Sequence, residues 1–279
     1  MSITVATSRL IETLTDSLRT ASDVMGGIHM ATHRAPFGDE PGDVDLLSAT
    51  STNRFVIGHT WIPVDGDLIP SVWPVESAKT VLAICTSLGR KSKEHTVDID
   101  LTVAPPPEDP KEGEHPGWTV TLSETPALFD SDTEFQFHAH AEPKFPIAMV
   151  RRLLAGEAKA DKDVEIPLTQ WGPSILAALV AVGKRRGEPL QFFRSPDSWL
   201  HRVQIGDTWL GAAYPIKPAP GEAVSEPSIE PVLGGADAVL RDAIAAMKTD
   251  GITVTVDNPQ GPVAQTLADV VNDGAGGAE

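Results

Sequence analysis

The chain has 279 residues, 41% of them hydrophobic, enough for one large domain or two ordinary ones with a sizeable core. Its formal charge of −17 argues against an open, one-sided nucleic-acid reader, which is normally basic, and leaves room for a closed assembly that keeps its few cations in one place. No stretch of about 18 apolar residues suggests a membrane span. The start Met1-Ser2-Ile3-Thr4 has no signal-peptide regions, and the single Cys85 cannot form an internal disulfide, so the expected location is cytoplasmic.

Residues 8–21 form the first helix expected, with Ser8 as its cap and Leu10, Ile11, Leu14 and Leu18 on one face. Strands are expected over 27–32, 44–50 and 54–62, and Pro70 and Pro74 bracket a turn. A second helix, 75–88, turns Ala78, Val81, Leu82 and Cys85 to one side and stops at Gly89; Cys85 there reads as a small buried hydrophobe. Strands follow at 96–103, 118–122 and 134–141, the first two separated by a Pro- and acid-rich loop. Phe145-Pro146 opens a third helix ending near Gly156, and 155–165 reads as a charged linker. A strand at 164–169 leads to a fourth helix, 174–182, and then to strands at 190–193, 199–205 and 208–216, the last two joined by a Gly206-Asp207 hairpin turn. Beyond Lys217, four prolines make a linker, a helix is expected over 236–248 and one strand over 252–256. Residues 217–279 hold 10 acids against 3 basic residues, and the last eight residues have the composition of a disordered tail.

Strand, helix and three strands therefore recur three times, starting near Ile3, Ile69 and Val164. Ser48-Ala49-Thr50-Ser51-Thr52-Asn53-Arg54-Phe55-Val56-Ile57-Gly58-His59 resembles the Ala-Thr-Asp-Gly-His/Tyr-Arg-Leu-Ala signature of bacterial sliding clamps, the rings that tether a DNA polymerase to its template. Phe145-Pro146 is similar to the Phe-Pro-Asp-Tyr of those proteins, with Ile147-Ala148 replacing Asp-Tyr. Glu165-Ile166-Pro167-Leu168, Ile175-Leu176-Ala177-Ala178-Leu179 and Ala213-Tyr214-Pro215-Ile216-Lys217 follow the order of the final half-domain of the β clamp. The resemblance covers roughly residues 3–217. It departs at Ser51-Thr52, where the family has Asp-Gly, and in the number of half-units.

The resemblance implies an α+β sliding-clamp fold, with helices lining a hole and sheets outside. A two-half-unit domain at 1–146 would be followed by a second clamp-like unit at 147–217 and an acidic extension at 218–279. It also implies double-stranded DNA bound without sequence preference, a DNA polymerase and a clamp loader as partners, and a homotrimeric or homotetrameric ring of phage type. The basic residues that would face DNA are Arg9, Arg19, Lys79, Arg90, Lys91, Lys93, Arg152, Lys159, Lys184, Arg185 and Arg186, which gather near the four helices. Basic residues also favour helix C-termini because of the backbone dipole, so recurrence on all four helices is what carries this reading. Tyr214, Pro215 and Ile216 would border a pocket for partner peptides.

Two other readings stay open. One is a non-catalytic clamp-fold protein that binds partners without encircling DNA. The other is a metal-dependent enzyme using His138 and His140, which share one face of a strand. No phosphate-binding Gly loop, Gly-x-Ser-x-Gly elbow or HExxH motif occurs, so neither a catalytic residue nor a cofactor is expected.

Overall fold

The computed structural model describes residues 1–39, 41–90, 94–106, 116–125, 134–158, 169–195, 198–216, 253–256 and 263–266. The chain divides into two compact units, Met1–Pro218 and Ala219–Glu279. In the second, strands β13 (Thr253–Val256) and β14 (Val263–Thr266) form an antiparallel pair, where the sequence suggested one strand. The expected helix over 236–248 and residues 164–168 of the expected strand 164–169 lie outside the described residues.

The first unit begins with β1 (Ser2–Ala6), helix α1 (Thr7–Thr20), β2 (Ile28–Pro36), β3 (Asp43–Thr52) and β4 (Val56–Pro63). After the two-residue β5 (Asp65–Gly66) the pattern repeats as β6 (Ser71–Trp73), α2 (Val75–Leu88), β7 (Thr96–Val103), β8 (Trp118–Glu124) and β9 (Glu134–Ala141). Each half lends its first strand to the other. β1 pairs with β7 (Ile3 opposite Ile99), and β6 pairs with β2 (Ser71 opposite Met30). A third group, α4 (Pro173–Arg186), β10 (Gln191–Arg194), β11 (His201–Gln204) and β12 (Trp209–Ala213), joins the first half through β12 and β4, with Gly211 opposite Gly58. The result is a twelve-stranded antiparallel sheet in the order β10-β11-β12-β4-β3-β2-β6-β9-β8-β7-β1-β5.

Period-two alternation decides which side of this sheet each helix covers. Ile28, Met30, Leu47, Ala49 and Trp73 face a core with Leu10 and Leu14 of α1 and Ala78, Val81 and Cys85 of α2. Val56, Trp209 and Ala213 face Ile175, Leu179 and Val182 of α4. Each such aliphatic side chain contributes about 1.5–3 kcal/mol when fully buried. Helix α1 touches both α2 and α4, so the three form one layer. It approaches β4 so closely that a Cβ on Gly58 would lie 2.5 Å from Thr20 Oγ1.

The intervening residues Ile57, Val72 and Ala212 point to the opposite face. There they pack on Phe145, Leu200 and the buried Val150 and Leu154 of helix α3 (Ile147–Leu154). Helices thus lie on both sides of the sheet.

Several local expectations change. The cap of α1 is Ala6, not Ser8, and makes no side-chain bond; instead the Thr7 amide donates to His95 O at 2.9 Å. The stretch between Pro70 and Pro74 is strand β6, held by long-range pairing to β2 and β9. Helix α4 runs past Gly183 to Arg186 and ends at Gly187, whose φ of 71° suits a residue without a side chain.

Candidate functional site

The outward surface of the helix layer carries part of the basic set. Arg9 and Arg19 of α1, Lys79 of α2, Arg90 just beyond α2 and Lys184 near the end of α4 are all exposed. Arg9 sits 3.6 Å from Glu12, and Lys79 donates to Glu76 at 2.6 Å, both on the surface, where such pairs are weak. Arg19, Arg90 and Lys184 make no ion pair among the described residues. Lys91, Lys93 and Lys159 lie outside those residues. Arg152 does not join this set. It is exposed on α3, across the sheet from α1, and pairs with Glu157 at 3.5 Å.

Arg185 and Arg186 turn inward. Arg185 Nε and Nη2 donate to the two carboxylate oxygens of Asp16, each at 2.5 Å, and Arg186 Nε donates to Asp16 Oδ2 at 2.8 Å. Arg186 also reaches Thr208 Oγ1 at 2.8 Å and Thr60 Oγ1 at 2.9 Å. The Asp16 side chain is 1% exposed, so this charge is desolvated and held by a bidentate fork. The cluster fastens α4 and the end of β12 to α1. Sequence reasoning passed over Asp16. The signal was a polar helical stripe, Thr13, Asp16, Ser17 and Thr20, all buried in the structure.

On the other face of the sheet, the hairpin between β3 and β4 builds one wall of a groove. Ser51 and Thr52 belong to β3, and Arg54 is in the turn itself rather than past it. Asn53 Oδ1 accepts from the amides of Phe55 (3.1 Å) and Val56 (2.9 Å), while Thr52 Oγ1 donates to Val56 O. These bonds hold Arg54 at φ 80°, an unfavourable backbone for a residue with a side chain. Phe55, Met149 of α3 and Tyr214 just past β12 are 62%, 54% and 37% exposed around a cavity of about 120 Å³ whose floor includes Ile57 and Ala212. These exposed apolar side chains grouped around one concavity form a candidate docking surface. Of the three predicted pocket residues, Tyr214 lines this groove and Pro215 is buried beside it. Ile216 is brought elsewhere; its amide bonds Gln170 O at 2.7 Å near the start of α4.

His138 and His140 are adjacent, with ring centroids 5.5 Å apart, but no group of three or more potential metal ligands occurs among the described residues. Thr7 Oγ1, His95 and Glu124 form a hydroxyl–imidazole–carboxylate chain, 2.7 Å at each link. Thr7 is fully buried, so no substrate reaches its hydroxyl, and the chain ties the start of α1 to β8. Burial pushes the Cys85 thiol up to about 12, in keeping with an inert core residue. Among the described residues no helix is long and apolar enough to cross a membrane.

No protein-family model and no curated protein matches the chain. Among solved structures it is similar to the β sliding clamp of Caulobacter crescentus, with a TM-score of 0.52 and 13% identity over 78% of this chain and 65% of that one. A second structure from the same organism, DNA polymerase III β, superposes at a TM-score of 0.50 with 13% identity over 95% of this chain and 83% of the other. The antiparallel sheet, the half-unit repeat and the helix layer described above are thus the sliding-clamp fold.

Proposed function

We propose that this chain, which has the sliding-clamp fold, acts as a DNA polymerase processivity factor that encircles duplex DNA as a homo-oligomeric ring and recruits replication proteins. The observation that carries the reading is the layer α2–α1–α4. Its outward side exposes Arg9, Arg19, Lys79, Arg90 and Lys184 in a chain of net charge −17. Cations gathered on one face contact phosphates and no base edges, which is what a sliding contact requires. Arg185 and Arg186 serve that surface indirectly, by fixing α4 against α1 through Asp16. The groove of Phe55, Met149 and Tyr214 is the proposed seat for a peptide of the polymerase or loader, with an aromatic or Leu anchor in its floor.

Replacing Arg9, Arg19, Lys79 and Lys184 together with Glu tests the reading. DNA binding by the parent is expected to be sequence-independent and to weaken steeply with salt, and the variant is expected to lose it while keeping its melting temperature. Sequence-specific binding that salt does not affect, or an unimpaired variant, would contradict it. A second reading, a clamp-fold adaptor that does not encircle DNA, is favoured by the net charge of −17, which repels a polyanion; the chain spans 65% of the first Caulobacter clamp. It predicts peptide binding in the groove with no salt-sensitive DNA binding.

A further inference from the structure

Helix α3 has two flanks. One borders the groove of Tyr214; the other covers a separate cavity of about 420 Å³ on the same face of the sheet. Its polar lining comes from four elements: His29 and His33 of β2, Ser48 and Thr50 of β3, His59 of β4 and Arg151 of α3. Ile147, Leu154 and Leu210 supply an apolar wall. The walls hold three imidazoles and a guanidinium, and none of the lining residues is a carboxylate.

Arg151 supplies the one fixed positive charge among these lining residues. Glu142, outside the lining, is engaged by His29 Nε2 at 3.1 Å. His29 is 1% exposed and its Nδ1 has no partner. His59 gives its Nδ1 to a bond with Thr50 Oγ1 at 2.8 Å. Arg151 is exposed and makes no ion pair among the described residues. Burial, and then the charges of His33, Arg151 and His29, push the His59 imidazole down to about 4. A bound anion beside these rings would oppose both effects by favouring the protonated imidazole. No group of three or more potential metal ligands occurs among the described residues.

We propose that this cavity binds a small organic anion, its carboxylate or phosphate group seated between Arg151 and the imidazoles of His29, His33 and His59, and its apolar body against Ile147, Leu154 and Leu210. A guanidinium aimed at an oxyanion gives the strongest uncomplexed contact available here, and the apolar wall selects an anion with a hydrocarbon part over an inorganic ion. The site stands apart from the proposed peptide groove, across α3, and does not depend on the clamp reading.

Titrating the full chain with benzoate and with phenyl phosphate, followed by calorimetry and by the histidine ring resonances, tests this. Benzylammonium serves as a control of the same shape and opposite charge, and inorganic phosphate as a control without the apolar body. One or both aromatic anions are expected to bind saturably and to shift the His59 ring signals, and whichever binds more tightly identifies the head group. Arg151→Gln is expected to weaken that binding about tenfold or more, and Arg152→Gln, one residue away and outside the cavity, to leave it unchanged. Both positions are exposed, and His33→Gln provides a second exposed variant inside the cavity with the same expected direction. The proposal is overturned if benzylammonium binds as tightly as benzoate, if neither aromatic anion saturates in the millimolar range, or if Arg151→Gln and His33→Gln both keep the parent affinity.

Discussion

Asp16 shows how much one buried side chain can determine. Three charge-assisted bonds converge on it from two consecutive arginines nearly 170 positions later in the chain, at the far end of another helix. Asp16→Ala leaves two partly buried guanidiniums facing each other without a counter-charge. The expected cost is about 3 kcal/mol, read as a lower urea midpoint at unchanged slope. Arg185→Ala, whose side chain is 26% exposed, should cost less than Arg186→Ala, whose side chain is 13% exposed and also holds Thr60 and Thr208. His59 belongs to the same scale. Its imidazole titrates near 4 in the folded chain, against an ordinary value of 6.5, because burial disfavours the charged form. Between those two values the unfolded chain binds the proton more readily. Stability from this group is therefore full above about pH 6.5 and is lost as pH falls toward 4. Urea midpoints measured from pH 7 to pH 4 should decline in the parent and decline less in His59→Leu; parallel slopes would show that His59 does not carry the effect.

At the scale of elements, what was legible in the sequence was whatever depends on local periodicity. The bounds of α2, β7 and β9 follow from apolar spacing and from Gly89, and the structure places them where that spacing does. Elements fixed by distant partners were not legible. β6 has only three residues between two prolines, and it is a strand because Met30 and Ala141 pair with Ser71 from either side. The last turn of α4 lies beyond the expected 174–182, and it is helical because Asp16 receives it. For α3 the periodicity gave the helix but not its side of the sheet, since Val150 and Leu154 would suit either core. Its outer location separates Arg152 from the other cations and creates the two flanking cavities. Of the predicted pocket trio, Tyr214 lines the groove, while the turn residues and Met149 that complete it come from elements no local pattern brings together. If the groove seats a partner peptide, Tyr214→Ala should cost about 1–2 kcal/mol of peptide affinity, measured by titration with a polymerase-derived peptide. Its melting temperature should change little, because Tyr214 is 37% exposed. A large drop in melting temperature with unchanged affinity would make Tyr214 part of the core.

For the whole molecule, the decisive feature is two stretches of strand left unpaired on one side among the described residues. The outer edge of β10 has no strand partner among the described residues, and residues 134–139 of β9 pair only with β8. Phe192 and Phe193 on β10 are 38% and 44% exposed, which makes that edge a surface for strand pairing rather than a protected end. In the proposed ring these edges meet between copies, and the helix layer of each copy faces the hole. Closed cyclic symmetry uses up every edge with one kind of contact. Substituting Lys for Phe192 should then weaken assembly while leaving each chain folded, visible as a lower mass in light scattering. The most direct test is the mass of the native particle at micromolar concentration, by native mass spectrometry. One cyclic species of three or four chains is expected; a strictly monomeric protein would contradict the self-closing ring.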